Sequence, residues 1–191
     1  MKKRNIVIIG ISTGGPKILR KFFDGLPLLD ASIVIVQHMI KCANRALCEG
    51  LNSLTEMEVK IPCHEETIGP GVVYFAPSEI HLELMNNKMI QLVNGPKVCY
   101  VRPAVDVTMK SVEKTNGDNI IGIIMTGMGN DGTDGISHIK SIGGTTFAQD
   151  ENTSVIWGMP KAAINTGNVD HVLSPDGIRN KLISHLGRLR S

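Results

Sequence analysis

Short runs of β-branched residues alternate with stretches of helical character along this chain, and that alternation constrains the fold more than any other feature. Such a pattern is typical of a mostly parallel sheet with helices on its faces. Runs that are apolar throughout are expected for central strands, because those strands are buried on both sides. The sequence therefore predicts a doubly wound α/β fold with helices on both faces of a mostly parallel sheet.

The predicted elements follow from these runs and from the turn residues between them. We expect strands at residues 5–9, 32–37, 58–61, 119–125, 145–149 and 169–172. We expect helices from Pro16 to about Asp24, at 43–53, at 105–114, from the loop at 126–132 to Ser141, after Pro160, and from Ser174 onward. Residues 72–76, 81–85 and 89–92 read as short strands joined by turns, which predicts a small antiparallel hairpin region at the edge of the sheet.

Length and composition predict one cytoplasmic domain over residues 1–191. A chain of 191 residues can bury a full-sized core. Its net charge of +2 comes from scattered lysines and arginines, which argues against a nucleic-acid partner. No apolar run approaches the roughly 20 residues that cross a bilayer, so we expect no membrane insertion. The cysteines lack the spacing of a metal site and are expected to be reduced: Cys42, Cys48, Cys63 and Cys99.

Three loops that follow predicted strands carry a serine, a histidine and an aspartate. Ser12 follows the first strand, His38 the second, and Asp131 lies in the glycine-rich loop after residues 119–125. In open α/β sheets, ligands bind beyond the carboxyl ends of the strands. We therefore expect these three side chains to share one edge of the sheet.

Ser12 lies in a G-x-S-x-G motif between Gly10 and Gly14, at a predicted strand-to-helix turn. This is the structural context in which that motif presents a nucleophilic serine, and the N-terminus of the next helix offers N–H groups to an oxyanion. The alternative is a phosphate-binding turn, since glycine-rich loops before helices also bind dinucleotides. The local motif leaves both readings open, although Ser12 occupies the second glycine position of G-x-G-x-x-G.

His38 is the candidate general base, because its place at the end of a neighbouring strand puts it near Ser12. A hydrogen-bonded histidine without a catalytic role is the alternative. Asp131 would orient the histidine, although it could equally cap the helix that follows it. Asp134 and Asp150 also follow strands, so the residues alone leave the identity of the acid open. The remaining histidines are predicted to be surface residues without metal-site spacing: His64, His81, His138, His171 and His185.

Arg102, just before the helix at 105–114, is a candidate for holding a substrate carboxylate through a bidentate contact. A solvated or salt-bridged arginine is the alternative reading.

Several separated motifs, in order, make the chain recognisable. They are I-G-I-S-T-G-G-P at 9–16, V-Q-H-M at 36–39, R-P-A-V-D at 102–106, M-T-G-M-G-N-D-G at 125–132, A-Q at 148–149 and G-M-P at 158–160. With these motifs the chain resembles the catalytic domain of the CheB chemotaxis protein-glutamate methylesterases over nearly its whole length.

The resemblance implies a doubly wound α/β sheet with a Ser–His–Asp triad. By motif position, Ser12 is the nucleophile, His38 the base and Asp131 the acid. It also implies that Thr13 helps to position the histidine and that the Met128 backbone N–H joins the oxyanion hole. The implied reaction hydrolyses glutamate methyl esters on methylated chemoreceptors, releases methanol and needs no metal or organic cofactor. Deamidation of receptor glutamines is the related activity.

The chain also departs from the family pattern. CheB proteins normally carry an N-terminal receiver domain, whereas this sequence starts directly before the first strand, so a stand-alone relative and a trimmed chain are both open. A separate response regulator is then an expected partner. Ala104 replaces a common serine, and Asp134 adds negative charge near the active loop. The alternative functions are a related esterase or deamidase with another substrate, and a nucleotide-binding module.

Overall fold

The structure is a computed structural model that describes residues 3–39, 43–113 and 117–189. Its strands are β1 (Asn5–Ile11), β2 (Ser32–Gln37), β3 (Glu58–Lys60), β4 (Val72–Phe75), β5 (His81–Met85), β6 (Met89–Val93), β7 (Asn119–Ile124), β8 (Thr145–Gln149) and β9 (His171–Leu173). Its helices are α1 (Gly15–Phe23), α2 (Ala43–Asn52), α3 (Val105–Lys110), α4 (Thr133–Ser141), α5 (Gly158–Asn165) and α6 (Pro175–Leu186). Within these described ranges, none of the helices has the length and apolar character needed to cross a membrane.

Seven strands form one parallel sheet in the order β3-β4-β2-β1-β7-β8-β9. Strands β2, β4 and β3 lie on one side of β1, and β7, β8 and β9 lie on its other side. The strand order therefore reverses between β1 and β7, which is where ligands bind in folds of this kind. The predicted α/β fold with a mostly parallel sheet is confirmed.

Two apolar layers cover the faces of this sheet. Val7 and Ile9 of β1 pack into the layer under α1, α2 and α6. Ile6 and Ile8 point the other way, into the layer under α3, α4, α5 and the β5–β6 hairpin. All four side chains are fully buried, and burial of each stabilises the fold by about 1.5–3 kcal/mol. This two-sided burial is why the strand reads as a continuous apolar run.

The hairpin region is smaller than predicted. Among the strands that the structure describes, only β5 and β6 pair antiparallel, with Leu82 opposite Leu92. Residues 72–76 were expected to belong to the antiparallel region, but β4 lies parallel between β3 and β2. Its side chains explain the difference: Val73 and Phe75 are buried in one layer and Tyr74 in the other, as in a central parallel strand.

Two predicted helix bounds also differ from the structure. The helix expected over 105–114 ends at Lys110, and residue 114 lies outside the described ranges. Ser111 ends it, because its hydroxyl donates to Thr108 O and accepts the N–H of Leu84 from the hairpin. Helix α5 begins at Gly158 and not after Pro160, since proline is tolerated within a first helical turn.

The prediction that His81 is a surface residue is wrong. Its side chain is buried, its Nε2 bonds Pro96 O at 2.8 Å, and its Nδ1 accepts the Ala104 N–H at 3.2 Å. His81 thereby joins the hairpin to the residue that precedes α3.

Candidate active site

The sheet brings the ends of β1, β2 and β7 together at its carboxyl edge. Ile11 is paired with Gln37 across β1 and β2, and His38 N donates to Ile11 O at 3.1 Å. Ser12 and His38 each follow one of these paired residues, so their backbones lie about one strand spacing apart, roughly 5 Å.

A hydrogen bond of 2.7 Å joins His38 Nε2 to Asp131 Oδ2. Both side chains are largely buried, with 11% and 3% of their surfaces exposed. An ionised carboxylate can only accept hydrogen bonds, so Nε2 carries the proton and Nδ1 is left with a free lone pair. The other two acids considered from the sequence have different partners, since Asp134 pairs with Lys110 and Asp150 caps its own turn.

The N-terminus of α3 holds the Asp131 carboxylate in place. Oδ2 accepts the N–H of Val105 at 2.7 Å, and Oδ1 accepts the N–H of Asp106 at 2.9 Å. These N–H groups need an acceptor, because Ala104 at the N-cap offers no side-chain cap. The close approach depends on Gly10, where an added Cβ would lie 2.5 Å from Val105 Cγ1.

Ser12 occupies a tight turn between β1 and α1. Its N–H donates to Thr126 O at 2.8 Å, and its carbonyl accepts the N–H of Gly15 at 2.8 Å. Gly14 completes the turn at φ 83°, a left-handed conformation that glycine adopts without strain. Within the described residues, no group forms a hydrogen bond with the Ser12 hydroxyl, which leaves its oxygen available to a base or a substrate.

Two backbone N–H groups beside Ser12 are also free to donate. Those of Thr13 and Met128 have no acceptor among the residues that the structure describes. The loop that carries Met128 reaches the serine because Gly127 has no side chain; an added Cβ there would lie 2.8 Å from Ser12 Cβ. Among the described residues, the Thr13 hydroxyl makes no hydrogen bond to His38. The expected role of Thr13 in positioning the histidine stays a prediction.

Gln37 is a supporting residue to which the sequence analysis gave no role. Its buried amide Nε2 donates to Ser12 O at 3.0 Å and to His38 O at 2.9 Å. It therefore ties the backbone of the candidate nucleophile to that of the candidate base. A glutamine at the end of an otherwise apolar strand is the signal that could have indicated this role.

Gly15 gives a test of the Gln37 contacts. An added Cβ at Gly15 would lie 1.9 Å from Gln37 Oε1, so Gly15→Ala must displace the amide. We expect the ester hydrolysis that the family resemblance implies to fall on the order of 10- to 100-fold, since small misplacements of reacting groups are costly. Steady-state kinetics would measure this, with Gly69→Ala as the control because nothing lies within 4 Å of its added Cβ. Unchanged kinetics in Gly15→Ala would argue against a positioning role for Gln37.

Thr126 and Gln149 fix the loop after β7, and sequence reasoning missed both. Gln149 Oε1 accepts the Thr126 N–H at 2.8 Å, and the Thr126 hydroxyl donates to Thr13 O at 2.9 Å. The same hydroxyl accepts the Ile156 N–H at 3.0 Å. Three loops around Ser12 are thus joined through one threonine.

Asp106 is a buried carboxylate behind Asp131, and sequence reasoning missed it as well. Its Oδ1 accepts the N–H of Gly135 in the first turn of α4 at 2.7 Å. Asp131, just before α4, accepts N–H groups at the start of α3, while Asp106 in α3 accepts one from the first turn of α4, so the N-terminal ends of the two helices are tied together. Burial raises the pKa of Asp106, and the charges of Asp131 and Asp134 raise it further.

The raised pKa of Asp106 predicts a pH dependence of stability. The folded state binds this proton more tightly than the unfolded state, so stability is lost as pH rises from about 4 through the folded pKa. Asp106→Asn keeps an acceptor for Gly135 and removes the charge. We expect its Tm relative to the wild type to rise between pH 4 and pH 7, measured by thermal unfolding. The same substitution at the exposed Asp24 is the control, and a difference that falls with pH would contradict this account.

Arg102 makes local contacts with the loop after β6. Its Nη1 donates to Asn94 Oδ1 at 2.8 Å and to Gly95 O at 2.6 Å. Binding of a substrate carboxylate by Arg102 stays a prediction.

One group of side chains in the described ranges has the proximity that a metal site would need. The Cys99 Sγ and carboxylate oxygens of Asp106 and Asp131 lie within 4.8 Å of one another. Three N–H donors already account for the position of the Asp131 carboxylate. Asp106 likewise accepts the Gly135 N–H and lies against the Cys99 Sγ, so hydrogen bonding accounts for the positions of both carboxylates.

Comparisons with known proteins show which family the chain resembles. The family model described as CheB methylesterase matches residues 7–182. A protein-glutamate methylesterase/protein-glutamine glutaminase 1 of Geobacter metallireducens is 44% identical over 170 residues, covering 87% of this chain and 47% of the relative. A protein-glutamate methylesterase/protein-glutamine glutaminase of Pyrococcus horikoshii is 40% identical over 191 residues, covering 98% and 52%. This chain spans about half the length of these curated relatives.

A solved structure is similar over almost its entire length. The Thermotoga maritima CheB methylesterase catalytic domain superposes with a TM-score of 0.89 at 41% identity. The similarity covers 96% of this chain and 99% of that one. The sheet, the helices and their order thus match a known catalytic domain.

Proposed function

Because the chain belongs to the CheB methylesterase family, we propose that it is a serine hydrolase that removes methyl groups from glutamate methyl esters of chemoreceptors. The products are a protein glutamate and methanol. The same acyl transfer on a side-chain amide deamidates glutamine, an activity that the names of the relatives include. The proposal extends to a single catalytic domain over residues 1–191, a cytoplasmic location, and control by a separate response regulator.

The observation that carries this proposal is the buried His38–Asp131 hydrogen bond at the end of the strand beside Ser12. A nucleotide-binding module would use the turn before α1, but it would have no need for a paired histidine and aspartate. A general base held by a carboxylate is what a serine nucleophile requires. The geometry therefore supports acyl transfer over nucleotide binding.

In the first half of the reaction, the Ser12 oxygen attacks the ester carbonyl carbon while His38 Nδ1 takes the hydroxyl proton. Asp131 stays ionised and stabilises the imidazolium. The N–H groups of Thr13 and Met128 donate to the oxyanion, and the N-terminus of α1 adds positive potential. The bond to the methoxy oxygen then breaks, that oxygen takes the proton from His38, and methanol leaves.

In the second half, water attacks the glutamyl ester on Ser12 while His38 accepts a proton from the water. The bond to the Ser12 oxygen breaks, and the serine regains its proton from the imidazolium. The substrate protein is released with an unesterified glutamate side chain. In the general Ser–His–Asp arrangement, the histidine Nδ1 faces the carboxylate. Here His38 Nε2 faces Asp131, so His38 Nδ1 is the nitrogen that exchanges protons with the serine.

A serine-directed phosphonate tests the proposal directly. We expect the purified protein to be labelled at Ser12, as located by mass mapping, and to release methanol from methylated receptor. His38→Ala should be labelled far more slowly, because the hydroxyl loses its base. Labelling at another serine, or equal labelling of His38→Ala, would refute the proposed chemistry.

A further inference from the structure

Exposed apolar side chains are concentrated around the candidate active site. Six large hydrophobic residues stand out as exposed among the residues that the structure describes: Tyr100, Met128, Val155, Ile156, Met85 and Val172. The first four, here called the apolar rim, lie on three loops at the carboxyl edge of the sheet. Tyr100 is the most exposed at 95%, followed by Met128 at 78% and Val155 at 57%. Clustered exposed apolar groups on a folded domain mark interaction sites.

Each part of the rim adjoins a residue of the site. Val155 packs against the nucleophile turn, since an added Cβ at Gly14 would lie 2.6 Å from Val155 Cβ. Met128 follows Gly127, whose backbone abuts Ser12. Tyr100 follows Cys99, whose Sγ lies within 4.8 Å of a carboxylate oxygen of Asp131. Each of the three loops that carry the rim therefore adjoins the Ser12 turn or Asp131.

The loops that carry the rim are held in place by backbone hydrogen bonds. Ile156 N donates to the Thr126 hydroxyl at 3.0 Å, and Ile156 O accepts the Gly127 N–H at 2.9 Å. Val98 and Val101 exchange two hydrogen bonds, at 3.1 and 3.0 Å, across the turn that presents Tyr100. The apolar side chains are thus displayed from fixed backbone, and a partner would lose little entropy by meeting them.

We infer that the apolar rim is the docking surface for the protein substrate itself, in particular for apolar side chains beside the esterified glutamate. This inference rests on the proposed function. The ester carbon of a glutamate is only three carbon–carbon bonds from its Cα, or about 4 Å. To place that carbon about 3 Å from the Ser12 oxygen, the substrate backbone must descend to the level of the rim. Attack on the ester therefore brings the substrate protein into contact with the apolar rim.

Substrate size separates docking from catalysis in a test. Methylated receptor contacts the rim, whereas p-nitrophenyl acetate needs only the catalytic groups. For the double variant Tyr100→Asn/Val155→Ser, we expect the ratio of kcat/KM for receptor to kcat/KM for the small ester to fall about 10-fold, mostly through KM. Asparagine suits position 100 because the backbone there is left-handed, at φ 66°.

Val172→Ser and Met85→Ser are matched controls, since both residues are exposed and apolar but lie away from Ser12, on β9 and at the end of β5. Their ratios should stay within about twofold of the wild type, with unchanged thermal unfolding in all variants. A rim variant with the wild-type ratio, or controls that lose as much, would overturn the inference. Failure of the proposed function would instead show as no methanol release by the wild type.

Discussion

Ser12→Ala is expected to reduce methyl-ester hydrolysis by about 10⁴-fold or more, because it removes the proposed nucleophile. Stability should be unchanged, since the Ser12 hydroxyl makes no hydrogen bond to any described residue and its removal leaves no partner unsatisfied. Methanol release from methylated receptor measures the first effect, and thermal unfolding the second.

Ser53→Ala is the control for this experiment. Ser53 is exposed, and its hydroxyl only caps a local carbonyl at Gly50, so its removal should leave turnover intact. Substantial turnover in Ser12→Ala would show that the ester is attacked by another group, and the acyl-enzyme mechanism would have to be abandoned.

Asp131 is expected to matter for both activity and stability, and two substitutions separate these roles. Asp131→Asn places an amide where His38 Nε2–H needs an acceptor, so the wrong imidazole tautomer is favoured and kcat should fall by about 10⁴-fold. Asp131→Ala should lose comparable activity. It should also destabilise the fold by about 1–3 kcal/mol, because the N–H groups of Val105 and Asp106 lose their acceptor.

Denaturant unfolding and steady-state kinetics on the two variants would check these expectations. Asp134→Ala, three residues on in the first turn of α4, is the control, since Asp134 is exposed and pairs with Lys110. If Asp131→Ala behaved like this control in both assays, neither the triad role nor the capping role could stand.

The candidate site was only partly predictable from the sequence. Strand-to-loop transitions placed Ser12, His38 and Asp131 on one edge, because parallel strands end together. Asp134 and Asp150 follow strands in the same way, and only the fold pairs Asp131 with His38. No role was predicted for Asp106 or Gln37, since their roles depend on N–H and carbonyl groups that are distant along the chain or buried by the fold.

The hairpin region was also predicted only in part. Residues 72–76 were expected to pair antiparallel because turns surround them, but burial on both faces makes β4 a parallel strand. His81 was expected at the surface, yet it lies buried between Pro96 and Ala104. A single side chain carries no local signal of which distant backbone group it will meet.

The sequence by itself determined the α/β class, the edge of the sheet where the candidate site lies and the residue types available there, because periodicity and strand ends are local properties. The tertiary structure alone decided which carboxylate meets the imidazole, which nitrogen of His38 it binds, and which apolar side chains remain exposed around Ser12. These depend on the packing of α3 against β1 and on hydrogen bonds between segments about a hundred residues apart, such as Thr13 and Thr126. No local pattern encodes distances of that kind.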